Sequence, residues 1–451
     1  MNRAPADRLS LTSPGTPSER YSWYVVSVLL IAAILSFVDR QILSLLVEPI
    51  KRDLQITDLQ ISLLQGLAFS IFYAICGIPI GRLVDSFNRR NIILVGGTVW
   101  TAATAMCGLA NSYLHLFLAR MAVGVGEAAL GPAAYSMISD YFARHRVPLA
   151  LGVYSVGVSL GAGLAFVIGG LAAGLAAKGD VVLPLVGAVR GWQAAFIYVG
   201  LPGLLIGLLL LSVREPARRN RASGGSAVPV AAVAGFLRER GRLGLSYVLG
   251  ISLLTALSYG SMSWVPSYFI RVHGMSAKET GAVVGGMILV LATIGIFGGG
   301  WVASWLARRG RTDATFRTAV WAAALSVPFS VAGPLMPTPG LSLMVLGPAF
   351  VFGSAYVSLG PSTIQLVTPN EMRGQVSAVS LMLTNLLGGV LGPAAVAFAT
   401  DRVFGQPAAV GQSLALVAAV LGPLSVGVLA WGLAPLRQAE VQARSWEEVG
   451  K

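Results

Sequence analysis

Apolar runs of about twenty residues recur along the whole chain, separated by short polar stretches. Each run is long enough to cross a bilayer as a helix. Their spacing predicts spans at 22–48, 58–80, 91–110, 114–138, 148–175 and 192–213. A second set follows at 244–270, 279–305, 316–336, 341–366, 374–400 and 411–435. Many of these runs contain Gly or Pro, which membrane helices accept when neighbouring helices satisfy the freed backbone groups. Composition agrees: of 451 residues, 55% are hydrophobic and 11% charged, against roughly 25% charged in soluble domains. A soluble fold would have to bury a dozen fully apolar helices in one core. The pattern predicts an all-α, polytopic membrane protein with twelve transmembrane helices.

Charge gives the expected orientation. Arginines gather in the even-numbered loops, at Arg89 and Arg90, Arg144 and Arg146, Arg214 to Arg221, and Arg308 to Arg311. Odd-numbered loops carry few net positive charges, so the positive-inside rule puts both termini in the cytoplasm. The same loops account for the net charge of +13; topology and anionic headgroups explain it, and nucleic acid is not called for. The expected divisions are a disordered cytoplasmic tail (1–20), a six-helix bundle (21–213), a basic cytoplasmic linker (214–243), a second six-helix bundle (244–436) and a cytoplasmic tail (437–451). The first span lacks a cleavage pattern and reads as uncleaved. Little Lys beside much Arg, Ala and Gly suggests a GC-rich bacterial genome, hence an inner (plasma) membrane.

The two halves resemble each other weakly. Gly66 and Gly285, Gly81 and Gly300, Arg89 and Arg308, and Arg90 and Arg309 are all 219 positions apart. "LGPAAYSMI" at 130–138 echoes "LGPSTIQLV" at 359–367. Matches at nearly constant offset argue for duplication. Under these offsets Asp39 falls opposite Ser258, Arg120 opposite Ala349 and Glu127 opposite Tyr356. Features common to both halves serve the scaffold or gating; features of one half serve a task.

These motifs resemble the major facilitator superfamily over essentially the whole chain. Its motif between spans two and three is similar to "GRLVDSFNRR", with Gly81, Asp85, Arg89 and Arg90; its span-four motif is similar to "RMAVGVGEAA", with Arg120, Gly124 and Gly126. "FVDR", "GVGEA", "WVPSYFIRVHGMS" and "TPNEMRGQ" resemble most the spinster branch, the lysolipid and sphingolipid-phosphate transporters. The span-five glycine motif of drug antiporters is written with a GP pair; here "GVSLGAGLAFVIGG" lacks the proline. The resemblance implies two pseudo-symmetric six-helix bundles rocking around a central site.

A charge at the bilayer centre costs roughly 2.5–3.5 kcal/mol, so embedded charges face the bundle interior and pair. Asp39 lies mid-span in span one. Arg120 and Glu127, seven residues apart in span four, share one helix face. The economical arrangement is a cavity-facing cluster of Asp39, Arg120 and Glu127, in which protonating Asp39 loosens a pair with Arg120. Glu127 is the second candidate proton carrier. Arg40 points about 100° away from Asp39 and reaches Glu127, another cavity wall or substrate. Gly81, Asp85, Arg89, Arg90 and Asp140 form an expected cytoplasmic gate, with Asp85 bonding a helix N-terminus in the other half.

The second half offers Ser258, Tyr259, Ser263, Trp264, Tyr356, Ser358, Thr384 and Asn385. One charged wall and one apolar or aromatic wall suit an amphiphile, its head on Arg40 or Arg120. The expected function is a proton-coupled secondary transporter of a lysolipid- or sphingoid-like molecule, working as a monomer. Alternatives are a transporter of amphipathic organic anions or drugs, a passive uniporter, or a non-transporting receptor. No cofactor or metal is expected. Cys76 and Cys107 read as lone buried thiols, and His115, His145 and His273 lie in or beside three different loops. No nucleophile–base set or Walker motif points to an enzyme or an ATP-driven pump.

Overall fold

The computed structural model describes residues 18–143, 146–177, 179–184, 186–218, 235–236, 238–369 and 372–449. The expected disordered tail up to residue 17, Arg144, Arg219 and Arg221 of the basic loops, and Asn370 and Glu371 of "TPNEMRGQ" lie outside the described residues.

The spans follow the apolar runs. Span one is Glu19–Leu45, and span two is built from Asp58–Gln65 and Leu67–Ser86. Span three is Arg89–Cys107, span four Tyr113–Glu127 and Leu130–Tyr141, span five Val147–Ala176 and span six Gly191–Ser212. Span seven is Gly241–His273, and span eight is Ala277–Met287 and Thr293–Arg308 around a π turn at Ile288–Ala292. Span nine is Ala314–Ala332, span ten Pro339–Ser354 and Tyr356–Val367, span eleven Arg373–Phe398 and span twelve Val410–Trp431. Local chemistry sets several starts. Thr57 with Gln60 and Ser276 with Glu279 form capping boxes that satisfy otherwise orphaned N–H groups.

Eleven segments among the described residues are long and apolar enough to cross a membrane. Arg89–Cys107 is not among them, because it opens on Arg89, Arg90 and Asn91 and carries three threonines. It packs along spans four and six, in the place of the third span. Elements between or after the spans include a short helix at Val47–Leu54, an antiparallel ribbon pairing Val181–Leu183 with Gly187–Val189, and a last helix at Leu433–Val449. Leu436 and Ala439 of that last helix are buried, and Arg437 bonds Asp313 at 2.6 Å.

The end of the molecule where span one begins is here the terminal end, and the opposite one the far end. The two halves meet at the far end along two glycine seams. A Cβ on Gly66 of span two would lie 2.5 Å from the Gly389 carbonyl of span eleven. A Cβ on Gly285 of span eight would lie 2.6 Å from the Gly163 carbonyl of span five. Backbone can approach backbone this closely only where no side chain intervenes. Arg271 of span seven reaches across to Asp58 at 2.6 Å and to Glu48, and the Leu59 N–H donates to Asp401 at 2.7 Å. The far end is closed.

Candidate functional site

Span four breaks immediately after Glu127, at Ala128 and Ala129. Its glycines let it press against its neighbours: a Cβ on Gly124 would sit 2.6 Å from the Phe69 carbonyl, and one on Gly126 2.6 Å from that of Gly96. This packing carries Arg120 and Glu127 into the half's interior, each 1% exposed, beside Asp39 at 3%.

The charges meet: Arg40 finds Glu127, one of the partners expected for it, whereas the expected pair of Arg120 with the Asp39 carboxylate does not form. Glu127 Oε2 accepts from Arg40 Nε at 2.5 Å and from the Ser36 hydroxyl at 2.7 Å. Arg120 forms no pair with the Asp39 carboxylate. Its Nη1 donates to the Asp39 backbone carbonyl at 3.0 Å and its Nε to the Leu64 carbonyl at 3.4 Å. Arg120 therefore ties span four to spans one and two through main-chain oxygens. The reason is positional: a helix carbonyl and its own side chain point different ways, and the guanidinium fork fits between two carbonyls. Asp39 Oδ1 and Glu127 Oε1 are buried with no hydrogen-bond partner.

Arg40 lies in an aromatic cage, its Cζ 4.3 Å from the Phe69 ring centre and 5.3 Å from those of Phe37 and Tyr73. Such a cage stabilises a cation while leaving its edge free to donate. Phe69 and Tyr73 were missed at the sequence level. Their four-residue spacing in span two, which stacks the rings 5.5 Å apart, was the available signal.

From the second half, Tyr259 comes within electrostatic reach of Arg40 and Glu127 and donates to Asn385 Oδ1 at 3.4 Å. Tyr356 lies beside Ser258 and Thr255. Other candidates are used in packing. Trp264 is fully buried and donates to the Pro393 carbonyl at 3.0 Å, so its indole belongs to the core and does not line a cavity. Ser263 is buried, Ser358 donates to the Ile296 carbonyl at 2.9 Å, and Thr384 donates to Leu381 of its own helix at 3.2 Å.

The second half also holds a partly open cavity of about 120 Å³, lined only by its own residues. Leu257, Met262, Ala349, Phe350 and Val417 give it an apolar wall, broken by hydroxyls such as those of Ser258 and Ser326. None of its lining residues is charged.

Of the residues expected at the terminal-end gate, Arg89, Arg90 and Asp140 form bonds within their own half. Arg89 is 1% exposed and pairs with Asp140 and, at 2.7 Å, with Glu215. The Arg90 backbone N–H donates to Glu215 Oε2 at 3.0 Å. These bonds strap the stretch after span six across the first half. A Cβ on Gly81 would meet nothing within 4 Å. The side chain of Asp85 lies outside the described residues.

Among the described residues no group of His, Cys, Asp and Glu could hold a metal. The chain is 28% identical over 422 residues to an MFS-type efflux pump of Mycolicibacterium smegmatis, covering 93% of this chain and 94% of the relative. It is 23% identical over 355 residues to a probable L-galactonate transporter of Escherichia coli, covering 75% and 74%. The crystal structure of a bacterial homolog of the human lysosomal transporter spinster, inward-facing and unoccupied, matches with a TM-score of 0.79 and 25% identity, over 95% of this chain and 99% of that one. The family model of the Major Facilitator Superfamily matches residues 29–393. With its helical spans, its two pseudo-symmetric halves and the charges buried inside the first, the chain is a membrane transporter and belongs to the Major Facilitator Superfamily.

Proposed function

We propose that this transporter couples proton movement to the passage of an amphiphilic, lysolipid- or sphingoid-like molecule by alternating access. It acts as a monomer in a bacterial inner membrane, with both termini in the cytoplasm. The observation that carries the reading is the contrast between its two walls. The first half buries Asp39, Arg120 and Glu127 beside a half-buried Arg40, whereas the second holds an uncharged, largely apolar cavity. An anionic or zwitterionic head meets caged Arg40, and a hydrocarbon tail enters the second half. Each methylene removed from water there is worth about 0.8 kcal/mol.

Asp39 is the proton carrier. A buried carboxylate oxygen without a partner is costly as an anion, and a proton removes that cost. Glu127 has its charge matched by Arg40, and a head group that takes Arg40 away would set Glu127 free to bind a proton in turn. The basic loops support the orientation. One specific observation favours a second reading, a small organic anion: the likeness to a galactonate transporter, together with a cation in the site.

The test is transport into liposomes with a lumenal pH dye, comparing wild type with Asp39→Asn. A single-chain lysophospholipid drives a pH change in wild type and none in the variant. A response to galactonate alone selects the small-anion reading. Equal substrate movement in both proteins without proton flux means a passive uniporter and sinks the coupling role of Asp39.

A further inference from the structure

The arginine pairs of the two repeats end in opposite surroundings. Arg89 is buried between Asp140 and Glu215. Arg308 and Arg309, at the matching positions, are exposed, as is Arg311. None of the three forms an ion pair among the described residues. The nearby acid, Asp313, is 1% exposed and already accepts from Arg317 at 2.7 Å and Arg437 at 2.6 Å.

Local geometry holds these arginines off the end of span eight. The helix stops at Arg308, and Gly310 takes φ +80. The Arg311 N–H then reaches back to the Leu306 carbonyl at 3.1 Å, a glycine-closed terminus. The Arg309 Cζ lies 3.8 Å from the centre of the Trp305 ring. A guanidinium lying on an indole keeps its N–H edge open to a phosphate.

The same helix continues outward as one stripe. Ile294, Phe297 and Trp301 are 53%, 59% and 63% exposed, and Ser304 and Arg308 follow at the same three- and four-residue spacing. The order along the helix is hydrocarbon, indole, hydroxyl, cation. That is the order of groups a phospholipid meets from its chains to its headgroup. Two more exposed indoles in this half lie near guanidinium groups, Trp321 6.0 Å from Arg317 and Trp431 5.1 Å from Arg242.

We infer that the terminal end of span eight is a binding site for an anionic phospholipid. Its phosphate sits on Arg308 and Arg309, with Arg311 beside it. An acyl chain lies along Trp301, Phe297 and Ile294. A soluble anion would engage the arginines and leave the apolar stripe without a role. The first half lacks the device because its equivalent arginine is spent on an internal strap.

The test uses the full chain in phosphatidylcholine vesicles. Phosphatidylglycerol or phosphatidylcholine brominated near the headgroup end of the chains is titrated in, and tryptophan fluorescence is read. Brominated phosphatidylglycerol is expected to quench at lower mole fraction. The preference falls about fivefold for each of Arg308→Gln and Arg309→Gln, as expected for one surface arginine. The pair Trp301→Phe and Trp305→Phe removes the selective part of the quenching. Equal quenching by the two lipids in wild type overturns the site. So does a preference that survives loss of both arginines, or one that millimolar inorganic phosphate abolishes at constant ionic strength. The wild-type comparison decides even where a variant fails to assemble.

Discussion

The two halves descend from one pattern, and each position where they now differ reports a task. At Gly66 and Gly285 they agree: each glycine lets its span touch the backbone of the opposite half. At Glu127 and its counterpart Tyr356 they part. The first is a carboxylate paired with Arg40, and the second a phenol among hydroxyls. At Arg89 and Arg308 they part again, one arginine buried and matched, the other exposed and unmatched. Duplicated chemistry thus holds the halves together, and unduplicated chemistry gives them different partners.

The strongest challenge to this contrast is Glu127→Gln. It leaves Arg40 without its counter-charge, and breaking a buried pair costs about 3 kcal/mol or more. Tyr356→Phe at the matching position removes at most a hydrogen bond, about 1 kcal/mol. Thermal unfolding in detergent ranks the two; similar losses would mean that the halves do not differ as described.

The agreement can be broken at the seams. Gly285→Val places methyl groups against the Gly163 carbonyl, and overpacking of this kind costs about 1–3 kcal/mol. The far end should then open. Thr280, fully buried here, becomes a reporter: a cysteine replacing it gains reactivity toward a membrane-impermeant thiol reagent. Gly286→Val is the control, because its Cβ meets nothing within 4 Å.

The smallest effect concerns how each half fastens its trailing segment. The first uses Arg89, and the second uses Asp313 to hold the helix Leu433–Val449. Burial alone would raise the Asp313 carboxyl, but its bonds to Arg317 and Arg437 outweigh it and hold the group below the usual carboxylate range. A depressed carboxyl contributes stability that is full above the ordinary pKa, near 3.9, and lost as pH falls through the lower folded value. Faster hydrogen exchange in Leu433–Val449 is therefore expected only under distinctly acidic conditions. Asp313→Asn gives part of it at neutral pH, about 0.5–1 kcal/mol. Unchanged exchange in both would show that apolar packing of Leu436 and Ala439 holds the helix alone.

Much of the fold was legible because a membrane helix is a local object. Twenty apolar residues satisfy their own backbone, so length and hydropathy suffice. The third helix shows where this weakens: its polar first turn and threonines are covered by spans four and six, and only packing reveals that. The site was legible as a set of embedded charges. Their pairing was not, because spacing says which face a side chain shares but not which oxygen it finds. Arg120 went to carbonyls and Trp264 into the core, and of the three partners open to Arg40 only packing selected Glu127. The far-end bond between Arg271 and Asp58 joins residues 213 positions apart, and no local pattern announces it.

The sequence by itself therefore determined the number and order of the apolar runs, the duplication, and which charges must be sheltered, since each follows from the cost of moving a group from water to hydrocarbon. Only the tertiary structure decided which partners shelter them, that one half keeps its charges and the other a cavity, and that equivalent arginines face inward in one half and outward in the other. Those outcomes depend on distances between helices far apart in the chain, which are set by how closely backbones can pack and not by any residue alone.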